Sequence, residues 1–301
     1  LGVALLSSQV AQPGVAQEDN VATAPPGASP AEGWVAARPS GSATVPFILD
    51  HNRMIVGVEF VRPDGSIREA LAWVDTGNQS IIMSEPLARE LGLDVPGLEA
   101  GGHSVELSSP VPPMRLDGLP LRVDGVAVRV HPGDQVRPGV PAEANLPASV
   151  LRHDHVIFDY PSRRLTVARP GILEPEGVGI ACRVNTVTGL FLVAATVDGD
   201  PAQLGVDTGS AGTWVSNSLT AEWMTRHPGW PHSKGAAGSA NFFGSPFESE
   251  GDLMRLPELQ IGTLRIRDVG LLGVDQGMFD WYSRKSAGQV SGFIGANVLK
   301  S

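Results

Sequence analysis

Apolar residues in this chain come in short runs broken by turn residues, and the runs form two series. The first is Arg53-Met54-Ile55-Val56-Gly57-Val58-Glu59-Phe60, a turn at Asp64-Gly65, and the stretch Ala70-Leu71-Ala72-Trp73-Val74. The second is Leu190-Phe191-Leu192-Val193-Ala194-Ala195-Thr196-Val197, a turn at Asp198-Gly199, and Leu204-Gly205-Val206. Asp-Gly between apolar runs favours a tight turn because Gly tolerates positive φ, so each series reads as a β-hairpin. A second apolar stretch follows each hairpin, Ile81-Ile82-Met83 and Thr213-Trp214-Val215. Short helical patterns come next: Glu85 to Leu91, stopped by Gly92, and Ser218 to Met224, with Ser218 as the expected N-cap. Further on, Leu146-Pro147-Ala148-Ser149-Val150-Leu151-Arg152 matches Ile294-Gly295-Ala296-Asn297-Val298-Leu299-Lys300 position by position. The chain therefore reads as a duplication of one unit that is mostly β with short helices.

Between the two apolar stretches of each copy stands the same tripeptide, Asp75-Thr76-Gly77 and Asp207-Thr208-Gly209. At average composition one such tripeptide arises by chance in roughly one chain in twenty of this length. Two copies in matching surroundings place each aspartate in a turn between buried strands. Two carboxyl groups brought within hydrogen-bond reach of one water cannot both stay ionised, so they share a proton. One is then a base toward the water and the other an acid toward a carbonyl oxygen. Gly77 and Gly209 let the backbone turn sharply and bring amide N–H groups to the carboxylates. Asn78 follows the first motif where Ser210 follows the second. A hydrogen bond from the Ser210 hydroxyl to Asp207 would make Asp207 the base and leave the shared proton on Asp75.

These residues resemble the retropepsin-like and pepsin-like aspartic peptidases, whose halves each carry Asp-Thr-Gly, an apolar strand, a flap hairpin and an apolar-apolar-Gly element. The resemblance spans residues 45 to 301. It includes Asp207-Thr208-Gly209-Ser210, Phe293-Ile294-Gly295-Ala296, and the strand-turn-strand segment from Val156 to Val167. Short halves and a single cysteine favour the bacterial retropepsin-like branch. The resemblance implies a two-lobed fold of pseudo-symmetric, barrel-like halves, with Asp75 and Asp207 catalytic and Thr76 and Thr208 bonded across the lobe interface. It also implies flaps. The second-half candidate is Gly235 to Gly244 with Phe242 and Phe243; in the first half it is Gly101-Gly102 through Ser108, where a plain surface loop is an equal reading. Ile81, Ile82 and the Phe pair, with Trp214, suggest an apolar substrate pocket, while Trp73 and Trp214 read first as strand packing and only second as cleft walls. One departure is Pro147-Ala148 where the other copy has Gly295-Ala296, which suggests a different backbone geometry beneath the first aspartate.

Composition agrees with this outline. The 36 Gly and 25 Pro among 301 residues favour short strands and turns. A formal net charge of −10, with Arg163-Arg164 as the densest basic spot and an expected hairpin turn, argues against nucleic acid or an anionic membrane as partner. Residues 1–16 look like the tail of a secretory signal peptide, too short to span a bilayer. Residues 17–44, rich in Ala, Pro, Gly and Ser, read as a flexible leader or a propeptide whose Arg38 faces a catalytic carboxylate. The lobes are then 45–175 and 176–301, in a secreted or periplasmic protein. Cys182 reads as a buried small side chain. His153-Asp154-His155 lacks further ligands at metal spacing and reads as exposed polar residues on a strand. The chemistry needs no cofactor or metal, and its partner is a peptide or protein substrate. Oligomeric state is not written in the sequence. The alternatives are a peptide-binding module without catalysis and a peptidase limited to self-processing.

Overall fold

The computed structural model describes residues 3–5, 41–98, 103–137, 139–174, 176–237, 250–286 and 288–301. They form a mostly β protein of two lobes, each built on its own sheet. The hairpin of the first lobe pairs Arg53–Val61 with Ile67–Asp75, from Val61↔Ile67 to Ile55↔Trp73. It turns where Gly65 takes φ 83°. Along Ile67–Asp75 burial alternates at the outer end and becomes continuous from Ala72 to Asp75, so the strand runs from a solvated surface into a region covered on both faces.

What positions the two motifs is an arrangement repeated in both lobes. Ile67–Asp75 lies parallel to Ala144–Pro147, which is antiparallel to Ile81–Ser84, which in turn is parallel to Val128–His131. In the second lobe Asp200–Val206 lies parallel to Gly292–Ile294, antiparallel in turn to Thr213–Ser216, itself parallel to Leu264–Val274. The chain thus leaves each aspartate, steps over one strand and re-enters the sheet beyond it. The later strand fills the gap and supports the loop from below: Ala148 N–H donates to Asn78 O at 3.1 Å and Ala296 N–H to Ser210 O at 2.9 Å.

The lobes differ at their margins. In the first, the sheet continues through Ser42–Asp50 to the hairpin His155–Asp159 and Arg164–Ala168, with Val3–Leu5 on its edge. Strand Ser42–Asp50 therefore starts inside the segment read as leader, and Val3–Leu5 falls inside the segment read as a signal peptide. The expected turn at Arg163 is present, with φ 53°. In the second lobe the sheet closes on itself where Phe191–Val197 meets Glu250–Ile261, at Ala195↔Ile261 and Thr196↔Gln260. One apolar cluster runs through both lobes, joining Val58, Val74 and Leu146 to Leu204, Val206 and Ile294.

Several local expectations change. Helix Asn217–Arg226 is capped by Ser216, whose hydroxyl accepts from Leu219 N–H, and not by Ser218. Pro147 and Gly295 share one extended geometry, at φ −85°, ψ 166° and φ −95°, ψ −177°. Proline fits because that φ is close to its fixed value, so the two supports do not differ as the sequence suggested. Gly295 is required on its side, since a Cβ there would lie 2.1 Å from Gly212 O. Asp154, read as exposed, is buried and gives both carboxylate oxygens to Arg169, at 2.8 and 3.0 Å. Cys182 is half-buried, and burial pushes its thiol up to about 11, away from thiolate reactivity.

Candidate active site

The two Asp-Thr-Gly loops meet at the boundary between the lobes. Each threonine is fully buried and turned toward the opposite loop. Thr208 N–H donates to Thr76 Oγ1 at 3.0 Å, and Thr76 N–H donates to Thr208 Oγ1 at 3.2 Å. Each hydroxyl then donates onward, Thr76 to Val206 O at 2.7 Å and Thr208 to Val74 O at 3.0 Å. Both carbonyls immediately precede an aspartate. These four bonds fix the spacing of the two loops within a dry region, where an unpaired backbone group costs about 1–3 kcal/mol.

Asp75 and Asp207 are 5% and 7% exposed, and their carboxyl groups are close enough to influence each other's protonation. Each aspartate also packs against the glycine of the opposite loop: a Cβ on Gly209 would lie 2.5 Å from Asp75 Oδ1. The glycines therefore do two things. They turn the chain so that amides reach their own carboxylate, as Gly209 N–H does to Asp207 Oδ1 at 2.9 Å, and they leave room for the partner's carboxylate.

Burial is the largest influence on both acids and holds both above the ordinary carboxylate range. They are not equivalent. Asp75 is relieved by the charge of Arg137 and by a hydrogen bond from Asn78, and is pushed up only to about 6. Asn78 is oriented for this by accepting Ser80 N–H on its own Oδ1 at 3.1 Å, which leaves its amide to donate. Asp207 is held well above the ordinary range by burial, to which the negative charge of Asp75 adds. The Ser210 hydroxyl donates to Gly212 O at 2.6 Å. The hydroxyl expected to bond Asp207 is therefore engaged by a backbone carbonyl, and the basis for making Asp207 the base falls away.

Arg137 and Tyr282 complete the surroundings, and neither was singled out by its sequence context. The guanidinium of Arg137 lies 5.4 Å over the Trp73 ring and interacts with both aspartates. Tyr282, on helix Gln276–Ser286, donates to Gly77 O at 2.9 Å from 205 residues away. Its ring packs edge-on against Phe293. Burial and the two aspartates hold its phenol far above the ordinary range, so it stays a donor.

Of the residues expected to line an apolar pocket, the three that are described pack into the cores. Trp214 is buried and stacks on Phe293 with ring centroids 4.6 Å apart, inside a cluster that includes Phe279, Leu272 and Val290. Ile81 is in the main core, and Ile82 packs with Ile55, Trp73 and Val140. Strands covered on both faces carry apolar side chains for packing, and these three belong to that class. Gly101, Gly102, Phe242 and Phe243 lie outside the described residues. The backbone leading to the second-half flap is described: His232–Ala237 pairs with Glu250–Ile261, down to Ala237↔Glu250.

No protein-family model matches the sequence, and no curated protein does. Among solved structures, the chain is similar to an aspartic proteinase from Irpex lacteus, with a TM-score of 0.46 and 13% identity over 86% of this chain and 92% of that one. The repeated strand order and the paired Asp-Thr-Gly loops make this an aspartic-protease-like fold of two lobes.

Proposed function

We propose that the protein is an aspartic endopeptidase of the retropepsin-like branch that hydrolyses peptide bonds with a water held between Asp75 and Asp207. The observation that supports this reading is a pair of buried aspartates, each packed against the glycine of the opposite loop, on two loops locked together by reciprocal threonine hydrogen bonds. Ionised Asp75 takes a proton from the water as its oxygen attacks the peptide carbonyl carbon. Protonated Asp207 donates to the carbonyl oxygen, giving a neutral tetrahedral diol. Collapse returns a hydroxyl proton to Asp207 and passes the proton on Asp75 to the amine as the C–N bond breaks. The products are a carboxylic acid and an amine, and the dyad is restored.

The threonine bonds keep the acid and base in register through this cycle, and the Tyr282 phenol fixes Gly77 beneath it. Removal of residues 1–16 on export would place the enzyme in the periplasm or outside the cell, which N-terminal sequencing of the mature protein tests. Activity is tested by digesting a mixed peptide library at acid and neutral pH with wild type, Asp75→Asn and Asp207→Asn. Cleavage that vanishes in both variants supports the reading. Binding without cleavage by wild type would instead make the chain a peptide-binding module, and cutting only within residues 17–44 would make it a self-processing peptidase.

A further inference from the structure

Arg137 lies in the loop between Val128–His131 and Ala144–Pro147, and that loop is pinned on both sides of it. Val136 N–H donates to Ala142 O at 2.9 Å, and Val140 N–H closes a turn onto Arg137 O at 3.1 Å. Gly139 donates its N–H to Gln135 Oε1 at 3.1 Å and accepts from Arg53 Nη2 at 3.2 Å. Val136, Val140 and Ala142 are buried against Ile55, Trp73 and Ile82. The base of the arginine is therefore held by packing, and its tip by the Trp73 ring.

Trp73 and Asp75 are two residues apart on one strand and so face the same side of the sheet. Both also border Gly209: a Cβ there would lie 2.5 Å from Asp75 Oδ1 and 2.9 Å from Trp73 Cζ2. A cation seated over the indole is thus delivered to the Asp75 side of the pair. The groups facing it are Asp75, Asp207, the Tyr282 phenol and Arg53, with His131 at the base of its loop. Arg53 is engaged by Asp50. Burial, with Arg137's own charge assisting, holds His131 below the usual imidazole range and so neutral at neutral pH. Tyr282 is neutral as well. Arg137 is then the cation placed to balance a dyad that carries one negative charge.

We propose that Arg137 is a positioning residue for the reaction: from its seat on Trp73 it holds Asp75 as the carboxylate that takes the water proton and leaves the shared proton on Asp207. This rests on the reading of the two aspartates as base and acid, and deepens it by assigning which is which and what decides it. Titrating the two side-chain carboxyls by carbon NMR in aspartate-labelled protein tests it, with the Asp75 signal identified through Asp75→Asn. In Arg137→Gln and in Arg137→Met, which keeps an apolar stem on the indole, the Asp75 midpoint should rise by about 1–3 units. Arg137→Lys should restore most of the difference. If cleavage is measured, the acid limb of kcat/KM should move upward by the same amount, because Asp75 must ionise before it can act. An unmoved midpoint in either neutral variant that folds, or an Asp207 that ionises first in wild type, overturns the proposal. The titration needs no turnover, so a protein that cleaves nothing would count against the peptidase reading while leaving this assignment to the midpoints.

Discussion

Gly77 and Asp207 are in contact across the lobe boundary: a Cβ on the glycine would lie 2.5 Å from Cγ and 2.6 Å from Oδ2 of the aspartate. The reciprocal contact joins Gly209 to Asp75. Methyl groups at these positions must displace a carboxyl group, not the flexible end of a long side chain. Gly77→Ala and Gly209→Ala should therefore each lower kcat by at least about 100-fold, since small misplacements of reacting groups cost that much. Each should also destabilise by about 1–3 kcal/mol, as overpacking does. Steady-state kinetics and urea unfolding check both, and wild-type kcat in either variant would show that the loops are not packed this closely.

The bond from Tyr282 to Gly77 O ties the helix Gln276–Ser286 to the first aspartate loop. Tyr282→Phe keeps the ring on Phe293 and removes only the donor, so the expected loss of stability is about 1 kcal/mol. Because the phenol holds the loop and takes no part in proton transfer, kcat should fall while both limbs of the pH profile stay in place. A displaced limb would give Tyr282 a more direct part in the chemistry.

Stability should carry the signature of the dyad. Folding raises the Asp75 pKa from an ordinary 3.8 to about 6, and raises Asp207 as well. The folded state thus binds more protons than the unfolded chain across this range, so stability is greatest below about pH 4 for these groups and is lost as pH rises through 6 and beyond. The Asp75 share is about 3 kcal/mol at roughly 1.4 kcal/mol per unit. Asp64, Glu90 and Asp159 are shifted downward and act in the opposite sense, losing their contribution as pH falls. The informative quantity is therefore the difference between wild type and Asp207→Asn. The variant should gain in Tm relative to wild type between pH 4 and 8, and a constant difference would argue against a strained acid pair.

The fold and the two aspartate loops were legible because they are written twice. The hairpin, the tripeptide and the later apolar element occur in the same order at similar spacing, and their lengths fix how each loop crosses its sheet. Arg137 and Tyr282 were not legible for the opposite reason. They lie outside the repeated elements, in a loop and in a helix that only the second half has, and they reach the site through tertiary contacts of long sequence separation. Trp214 packs within its lobe, as the strand-packing reading expected, and Ile81 and Ile82 join it in the cores because a strand buried on both faces carries large apolar residues whichever side faces a substrate. Ser210 was misassigned because the sequence shows a hydroxyl next to Asp207 but not the Gly212 carbonyl that takes its proton.

Hydrolysis by this mechanism requires Asp75 and Asp207 to work as one unit. The measurement that tests this most directly is kcat/KM on a single peptide taken from the library digest, for wild type, Asp75→Asn, Asp207→Asn and the double variant. Each single substitution should lower it by at least about 1,000-fold, and the double variant should be no worse than either, because groups that act together are lost together. A single variant that keeps near wild-type activity would contradict the two-carboxylate mechanism.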